Sequence, residues 1–341
     1  MELIIKGGTI VTDGVEFQAD LGITGGRVTQ IGELESDSAD IVDASDMFVF
    51  PGLVELGVSL LAEDASTPVS SQTTDALTAD ALHGGVTTVF YSVAFNDSRP
   101  IAEQLEKIVA KDKEQAQIDF GYHYFVNDWS DARKKHLKTA QMAGIPSVWI
   151  ARNAPTSRAA GAALAYAVLR DLPENAVAFT SPNCPLFDSF LRNDLRASGT
   201  VSPSNHSLLF PSWLEANAVG TLGALAAQSR AQLVVVGVSA AESIRKIADL
   251  RSQGVDILAA AKIPHLVLTQ DNQEENGGEN GCQALAWPPI RQRTDQQALW
   301  TAVDDGLINL VTSGHHPVTE NENTASQRDI TMASVGTAGI R

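Results

Sequence analysis

Cysteine is almost missing from this chain of 341 residues: only Cys184 and Cys282 carry a thiol, and they stand far apart. That excludes a disulfide framework and a thiolate zinc site, so both read as core or loop thiols. Long apolar runs are missing too, and none approaches the ~20 residues that a membrane-crossing helix needs. The opening Met1-Glu2-Leu3-Ile4-Ile5-Lys6-Gly7-Gly8 has neither the basic flank nor the length of a secretion signal. The chain therefore reads as a soluble, cytoplasmic protein without a membrane partner. Positive charge is scarce, with 24 Lys and Arg against 41 Asp and Glu and a net charge of −17. Nucleic acids are held by clustered Lys and Arg, so that partner class is excluded. The acidic excess is spread along the chain, as on a solvated surface.

What is present is apolar content, 44% of the residues, enough for a large core. Residues 1–50 read as short strands separated by glycine turns: Leu3 to Gly8, Thr9 to Val11, Asp20 to Ile23 and Arg27 to Gly32. Gly7-Gly8 and Gly25-Gly26 are expected to supply the left-handed backbone of tight hairpins. This is a small β-sandwich module. Ile41 to Ser45 and Met47 to Phe50 then lead into Pro51-Gly52 and the apolar run Leu53 to Leu60, which has the look of a buried parallel strand.

Over residues 51–341, short β-branched runs alternate with helical stretches. Strands are expected near 53–60, 86–91, 118–124, 147–151, 176–180, 233–238, 263–268 and 309–312, with helices between them, for example 101–111, 159–169, 215–229 and 241–253. Eight such units make an α/β fold, a closed (β/α)₈ barrel whose site lies at the C-terminal ends of its strands. The segment Gln270 to Gly281 is polar and rich in glycine, and reads as a surface loop.

Several segments stand in the order found in the amidohydrolase superfamily. They are Leu3 to Val11, Ile41 to Ala44, Phe50-Pro51-Gly52, Gly84 to Val89, Asp119 to His123, Trp287-Pro288-Pro289-Ile290-Arg291 and His315-His316-Pro317. Through them the whole chain resembles the cyclic-amidase branch, the dihydropyrimidinases, hydantoinases, allantoinases and dihydroorotases. The resemblance implies two zinc ions bridged by a hydroxide that attacks an amide carbon. It also implies where the ligands would stand. The first-strand histidine pair falls on Gly57 and Ser59, the carboxylated lysine on Trp149, the two single histidines on Thr180 and Gly237, and the aspartate on Gly314. None of these can serve, so the expectation is no metal, no cofactor and no catalytic residue at the family positions. Substrate-holding positions depart as well, falling on Leu61, Ala154, Trp287 and Val335.

Among what remains, His315, His316 and Trp287 are the candidates for binding at the barrel mouth. His83, His123 and His265 read as structural histidines, and Asp97 and Asp128 as turn or cap residues. Ser59, Thr180, Ser181 and Ser239 could line a hydroxyl-rich pocket, yet no nucleophile-elbow motif accompanies them. The chain ends where the family continues with strands that complete the small sandwich. Either it is a fragment or another chain covers the open edge. The reading that unites these features is a non-catalytic relative, a scaffold or regulatory subunit in a homo-oligomer or beside a catalytic subunit. Metal-free dihydroorotase-like subunits that assemble with aspartate carbamoyltransferase in pyrimidine metabolism are similar in their ligand losses and in the run Pro51 to Leu60. The alternatives are a cyclic-amide hydrolase with a non-standard site and a small-molecule binding protein.

Overall fold

The computed structural model describes residues 1–58, 73–96, 99–151, 161–274, 284–315, 329–332 and 340. The chain packs as two compact units, Met1–Leu53 and Val54–Arg341.

The first unit holds β1 (Leu3–Lys6), β2 (Thr9–Thr12), β3 (Val15–Gln18), β4 (Asp20–Thr24), β5 (Arg27–Gly32), β6 (Asp40–Asp43) and β7 (Phe48–Val49). They form a four-stranded sheet in the order β5-β4-β1-β6 and a three-stranded sheet in the order β3-β2-β7. Gly25 and Gly26, at φ 58° and 71°, make the two-residue turn of the β4–β5 hairpin. The Gly7-Gly8 pair does something else. Gly7, at φ 77°, passes the chain from one sheet to the other, because β1 and β2 do not pair. The turn is pinned by Asp20, whose carboxylate accepts from the Leu34 N–H at 3.0 Å and the Gly7 N–H at 2.8 Å; these two bonds hold it below the usual carboxylate range.

The second unit is built on eight parallel strands: β8 (Leu53–Val58), β9 (Val86–Val93), β10 (Asp119–Val126), β11 (Ser147–Ile150), β12 (Val177–Thr180), β13 (Gln232–Val236), β14 (Ile257–Lys262) and β15 (Leu310–Thr312). They pair in chain order from β8 to β15. The helices between them are α1 (Thr74–His83), α2 (Ile101–Gln115), α3 (Asp131–Met142), α4 (Ala162–Asp171), α5 (Pro185–Ser198), α6 (Ser212–Ser229), α7 (Ala241–Ser252), α8 (Ile263–Val267), α9 (Asp271–Glu274) and α10 (Arg293–Asp304). This is the (β/α)₈ barrel. Parallel neighbours need a crossover, and helices laid over one face give the strands two buried sides.

The alternation of side chains follows from that burial. Val148, Ala178, Leu233, Val235 and Ala259 belong to the core shared with the helices, including Leu164, Val168, Val219 and Ile247. Phe179, Val234, Val236 and Ala260 form a separate interior cluster, with Trp149, Leu258 and Leu310 packed against it. The seam between β8 and β15 is spanned by Glu55. Its buried carboxylate accepts from the Thr312 hydroxyl, from the Ser313 N–H at 2.6 Å and from the Gly57 N–H at 2.6 Å. Asp112 plays a comparable part among the elements that follow β8. It accepts from Thr74 Oγ1 at 2.9 Å, Tyr122 Oη at 2.8 Å and the Tyr91 hydroxyl, tying α1, α2, β9 and β10 together. Burial and that carboxylate push both phenols well above their ordinary range.

One expected strand is misplaced. The run 263–268 is not the seventh strand; Ile263–Val267 is the short helix α8, with a proline in its first turn, and the strand is Ile257–Lys262 just before it. Proline lacks the N–H that a central ladder requires, whereas it fits the first helical turn. The expected loop from Gln270 begins with α9 over Asp271–Glu274, and 275–281 lie outside the described residues.

Candidate functional site

The C-terminal ends of the strands carry the positions to which the resemblance assigns metal ligands. Gly57 lies near the end of β8, Trp149 near the end of β11, Thr180 at the end of β12, Gly237 just beyond β13 and Gly314 just beyond β15. Ser59 lies outside the described residues, as do Leu61, Ala154, Val335, Asp97 and His316.

Trp149 points into the barrel. Its ring lies parallel to that of Phe179, with centroids 5.8 Å apart and 6° between planes, and its centroid is 5.5 Å from that of His123. His123 sits 4.7 Å from Phe179 on the same criterion. Its Nε2 donates to the Leu56 carbonyl at 3.0 Å, which leaves Nδ1 to accept from Ser147 Oγ at 2.7 Å. Burial pushes its pKa down to about 4, partly opposed by the Leu56 carbonyl, so the ring is neutral near pH 7. It is the structural histidine expected.

The three glycines are close to other atoms for a reason that the sequence alone did not reveal. A Cβ on Gly314 would stand 2.7 Å from Lys262 Cδ and 3.1 Å from its Cγ. A Cβ on Gly237 would stand 2.8 Å from Pro288 Cδ and 3.3 Å from Lys262 Cε. Both glycines have left-handed backbones, φ 87° at Gly237 and 64° at Gly314. A Cβ on Gly57 would collide with Thr312 Oγ1. Lys262, the last residue of β14, therefore runs its stem between the sixth- and eighth-strand positions and donates from Nζ to the Trp287 carbonyl at 2.9 Å.

The remaining candidates have their own partners. Thr180 donates to the Ile150 carbonyl at 3.3 Å. The Ser239 hydroxyl donates to Glu215 and accepts from Arg291 Nε at 3.1 Å. Glu215 is fully buried, takes the Ser239 and Ala240 N–H groups at 2.9 and 3.0 Å, and pairs with Arg291 at 2.9 Å. Burial works to raise its pKa, but the Arg291 charge and the Ser239 donors outweigh it and hold the carboxyl below its ordinary range. Ser181 is buried. The Thr180 and Ser239 hydroxyls are thus committed to the framework, the latter through the Glu215–Arg291 pair.

Trp287 is buried in an apolar cluster with Leu195, Leu209, Phe210, Leu214, Ala218 and Ile330, 5.0 Å from the Phe210 ring. His265 is buried beside it, donating from Nε2 to the Pro288 carbonyl at 2.7 Å, and burial brings its pKa down to about 4. His315 is buried just past β15, its N–H bonded to Ser313 Oγ at 3.1 Å. His83 differs from expectation, for it stands exposed in the last turn of α1. Asp128 pairs with Arg133 at 2.6 Å, while the cap of α3 is Ser130. Among the described residues no three His, Cys, Asp or Glu side chains gather as a metal-binding group. No helix among them is long and apolar enough to cross a membrane.

No protein-family model matches the chain. It is 31% identical over 321 residues to a D-hydantoinase of Rhizobium radiobacter, covering 92% of this chain and 69% of that protein. It is 25% identical over 354 residues to the dihydroorotase of Bacillus licheniformis, covering 100% of this chain and 76% of that one. A crystal structure of D-hydantoinase superposes with a TM-score of 0.89 at 28% identity, over 100% of this chain and 74% of its own. Fold and relatives together define an amidohydrolase-type barrel. More narrowly, the chain belongs to the hydantoinase, dihydropyrimidinase and dihydroorotase-like amidohydrolase family.

Proposed function

We propose that this chain is a member of the family that does not carry out two-metal hydrolysis and serves instead as a scaffold or regulatory subunit. The observation that carries the reading is Lys262, whose stem lies against Gly237 and Gly314, where the resemblance puts two ligands. The residues present do not fit a pair of divalent ions. Glycine offers no donor at three positions, an indole stands at the fourth, and the Thr180 hydroxyl already donates to a carbonyl. An ammonium at the mouth also places a positive charge where ions would have to enter. Hydrolysis of a cyclic amide in this family depends on metal-activated water, so its loss removes the nucleophile rather than merely weakening it.

The similarity to a dihydroorotase over the whole chain, together with the run Pro51 to Leu60, supports a place beside aspartate carbamoyltransferase in pyrimidine metabolism. In that role the barrel contributes surface rather than chemistry. The purified chain, supplied with zinc, should not hydrolyse dihydroorotate, hydantoin or dihydrouracil above background, and it should co-sediment with the aspartate carbamoyltransferase of the same organism. Zinc-dependent turnover of any of the three would end the non-catalytic reading; independent sedimentation would end the partnership.

A further inference from the structure

In the N-terminal unit a single run of chain forms the edge of both sheets. β6 (Asp40–Asp43) is the last strand of the order β5-β4-β1-β6, and β7 (Phe48–Val49), which follows it, is the last of β3-β2-β7. Among the described residues β6 is paired only with β1. Asp40 donates its N–H to the Glu2 carbonyl at 3.0 Å and Ala44 donates to the Lys6 carbonyl at 2.8 Å, so by the alternation of a strand the N–H groups of Ile41 and Asp43 point outward. Such an edge is a template for another strand, and proteins commonly blunt it with Lys, Pro or a bulge. β6 has neither residue, and its register with β1 runs unbroken. What marks it instead is negative charge. Residues 28–53 hold Glu33, Glu35, Asp37, Asp40, Asp43 and Asp46 and no Lys or Arg. The Ser45 hydroxyl and its N–H, the latter at 3.0 Å, keep Asp43 below the usual carboxylate range. Between the two aspartates of β6, Ile41 and Val42 are 57% and 50% exposed, and Phe48 and Phe50 follow at 62% and 63%, their rings 6.0 Å apart. The edge is apolar at its centre and acidic at its ends.

We propose that this edge takes an extended segment of a different protein, one with two apolar residues between two Lys or Arg, which adds as a strand beside β6. The pattern follows from the pleat. Asp40 and Val42 share one face of β6, and Ile41 and Asp43 share the other, so each face presents one carboxylate and one apolar side chain. A strand laid alongside must offer a cation and an apolar residue on each face, which the order cation, apolar, apolar, cation supplies. The outward N–H groups of Ile41 and Asp43 provide the main-chain bonds of such an addition, and the side chains select the segment. A second copy is a poor occupant. It would set the same aspartates against one another, in a molecule that already carries −17. The inference deepens the scaffold reading: it rests on the claim that the chain serves a partner, and not on the state of the barrel mouth.

Fluorescence anisotropy of the full chain tests this with a labelled, end-blocked peptide whose centre is Lys-Val-Val-Lys in serine and threonine flanks. It should bind about tenfold or more tightly than the same peptide with Glu for both Lys, and more weakly as salt rises from about 0.05 to 0.5 M. Ile41→Pro removes an outward N–H and leaves intact the ladder to β1, which Asp40 and Ala44 serve. That variant, and Asp40→Lys/Asp43→Lys, should each raise the dissociation constant about tenfold or more. If neither folds, hydrogen exchange of the wild-type chain decides: the amides of Ile41 and Asp43 should gain protection when the Lys peptide is added. No binding of that peptide, equal binding of the Glu peptide, folded variants that bind as the wild type does, or exchange at Ile41 and Asp43 indifferent to the peptide would each overturn the inference. So would protection there that rises with protein concentration alone, the mark of a second copy. None of these readouts involves zinc or turnover, so a hydrolytic chain would end the proposed function and leave this inference standing, while a failed peptide would end this one alone.

Discussion

A lysine and two glycines at the barrel mouth depend on one another. The Lys262 stem occupies space that a Cβ at Gly314 or Gly237 would need, and both glycines hold backbones that other residues resist. Gly314→Ala should therefore cost about 1–3 kcal/mol in a urea melt, part from the left-handed backbone and part from the collision. Adding Lys262→Ala should return the collision share, so the two changes should be non-additive by about 0.5 kcal/mol or more. Strict additivity would mean that the stem simply moves aside. His123 sets a different expectation. Its folded pKa of about 4 lies below the ordinary 6.5, so between those values the unfolded chain binds the proton and the folded chain does not. Stability should fall as pH drops from about 6.5 toward 4, by up to about 3 kcal/mol from this residue. His123→Gln should be less stable at pH 7 and show a shallower slope over that window; an unchanged slope would place the acid sensitivity elsewhere. Glu215 acts lower still. Its pKa is depressed, so its contribution is present above the ordinary carboxylate value and is lost only as pH falls through the folded one.

At the scale of elements, the barrel is joined where its ladder is thinnest by one carboxylate. Glu55→Gln should cost about 2–3 kcal/mol, because the new amide donor would face N–H and O–H donors in a buried place. A change below about 0.5 kcal/mol would show that β8 and β15 are held by other contacts. Most of these elements were legible in the sequence, since Val, Ile and Phe runs such as Val86–Val93 and Gln232–Val236 stand between helices with clear ends. The seventh strand was not, and the reason is chemical. Ile257-Leu258-Ala259-Ala260-Ala261-Lys262 is rich in alanine, a weak strand former, and the bulkier run that follows it drew the assignment away. Two signals pointed the right way: Pro264 in the supposed strand, and the turn at Gly254 just after α7, which leaves room for only a short connection. That shift is also why Lys262 was missed. Placed before a strand it is a loop residue; placed at the end of one it faces the mouth.

For the whole molecule, the order of motifs was enough to read the family and the barrel, while the ligand positions are assigned by the resemblance alone. What fills the space between them came from side chains on other strands, Lys262 above all, and no spacing within one segment could reveal it. The N-terminal unit adds a second surface, for Phe48, Phe50, Ile31 and Ile41 are exposed there. The central claim concerns the mouth, and metal content tests it most directly. The full chain, produced in zinc-supplemented cells and purified without chelator, should carry well below one equivalent of zinc by mass spectrometry, and Lys262→Ala should not raise it. Close to two equivalents per chain, removed by a chelator and restored by added zinc, would contradict the account.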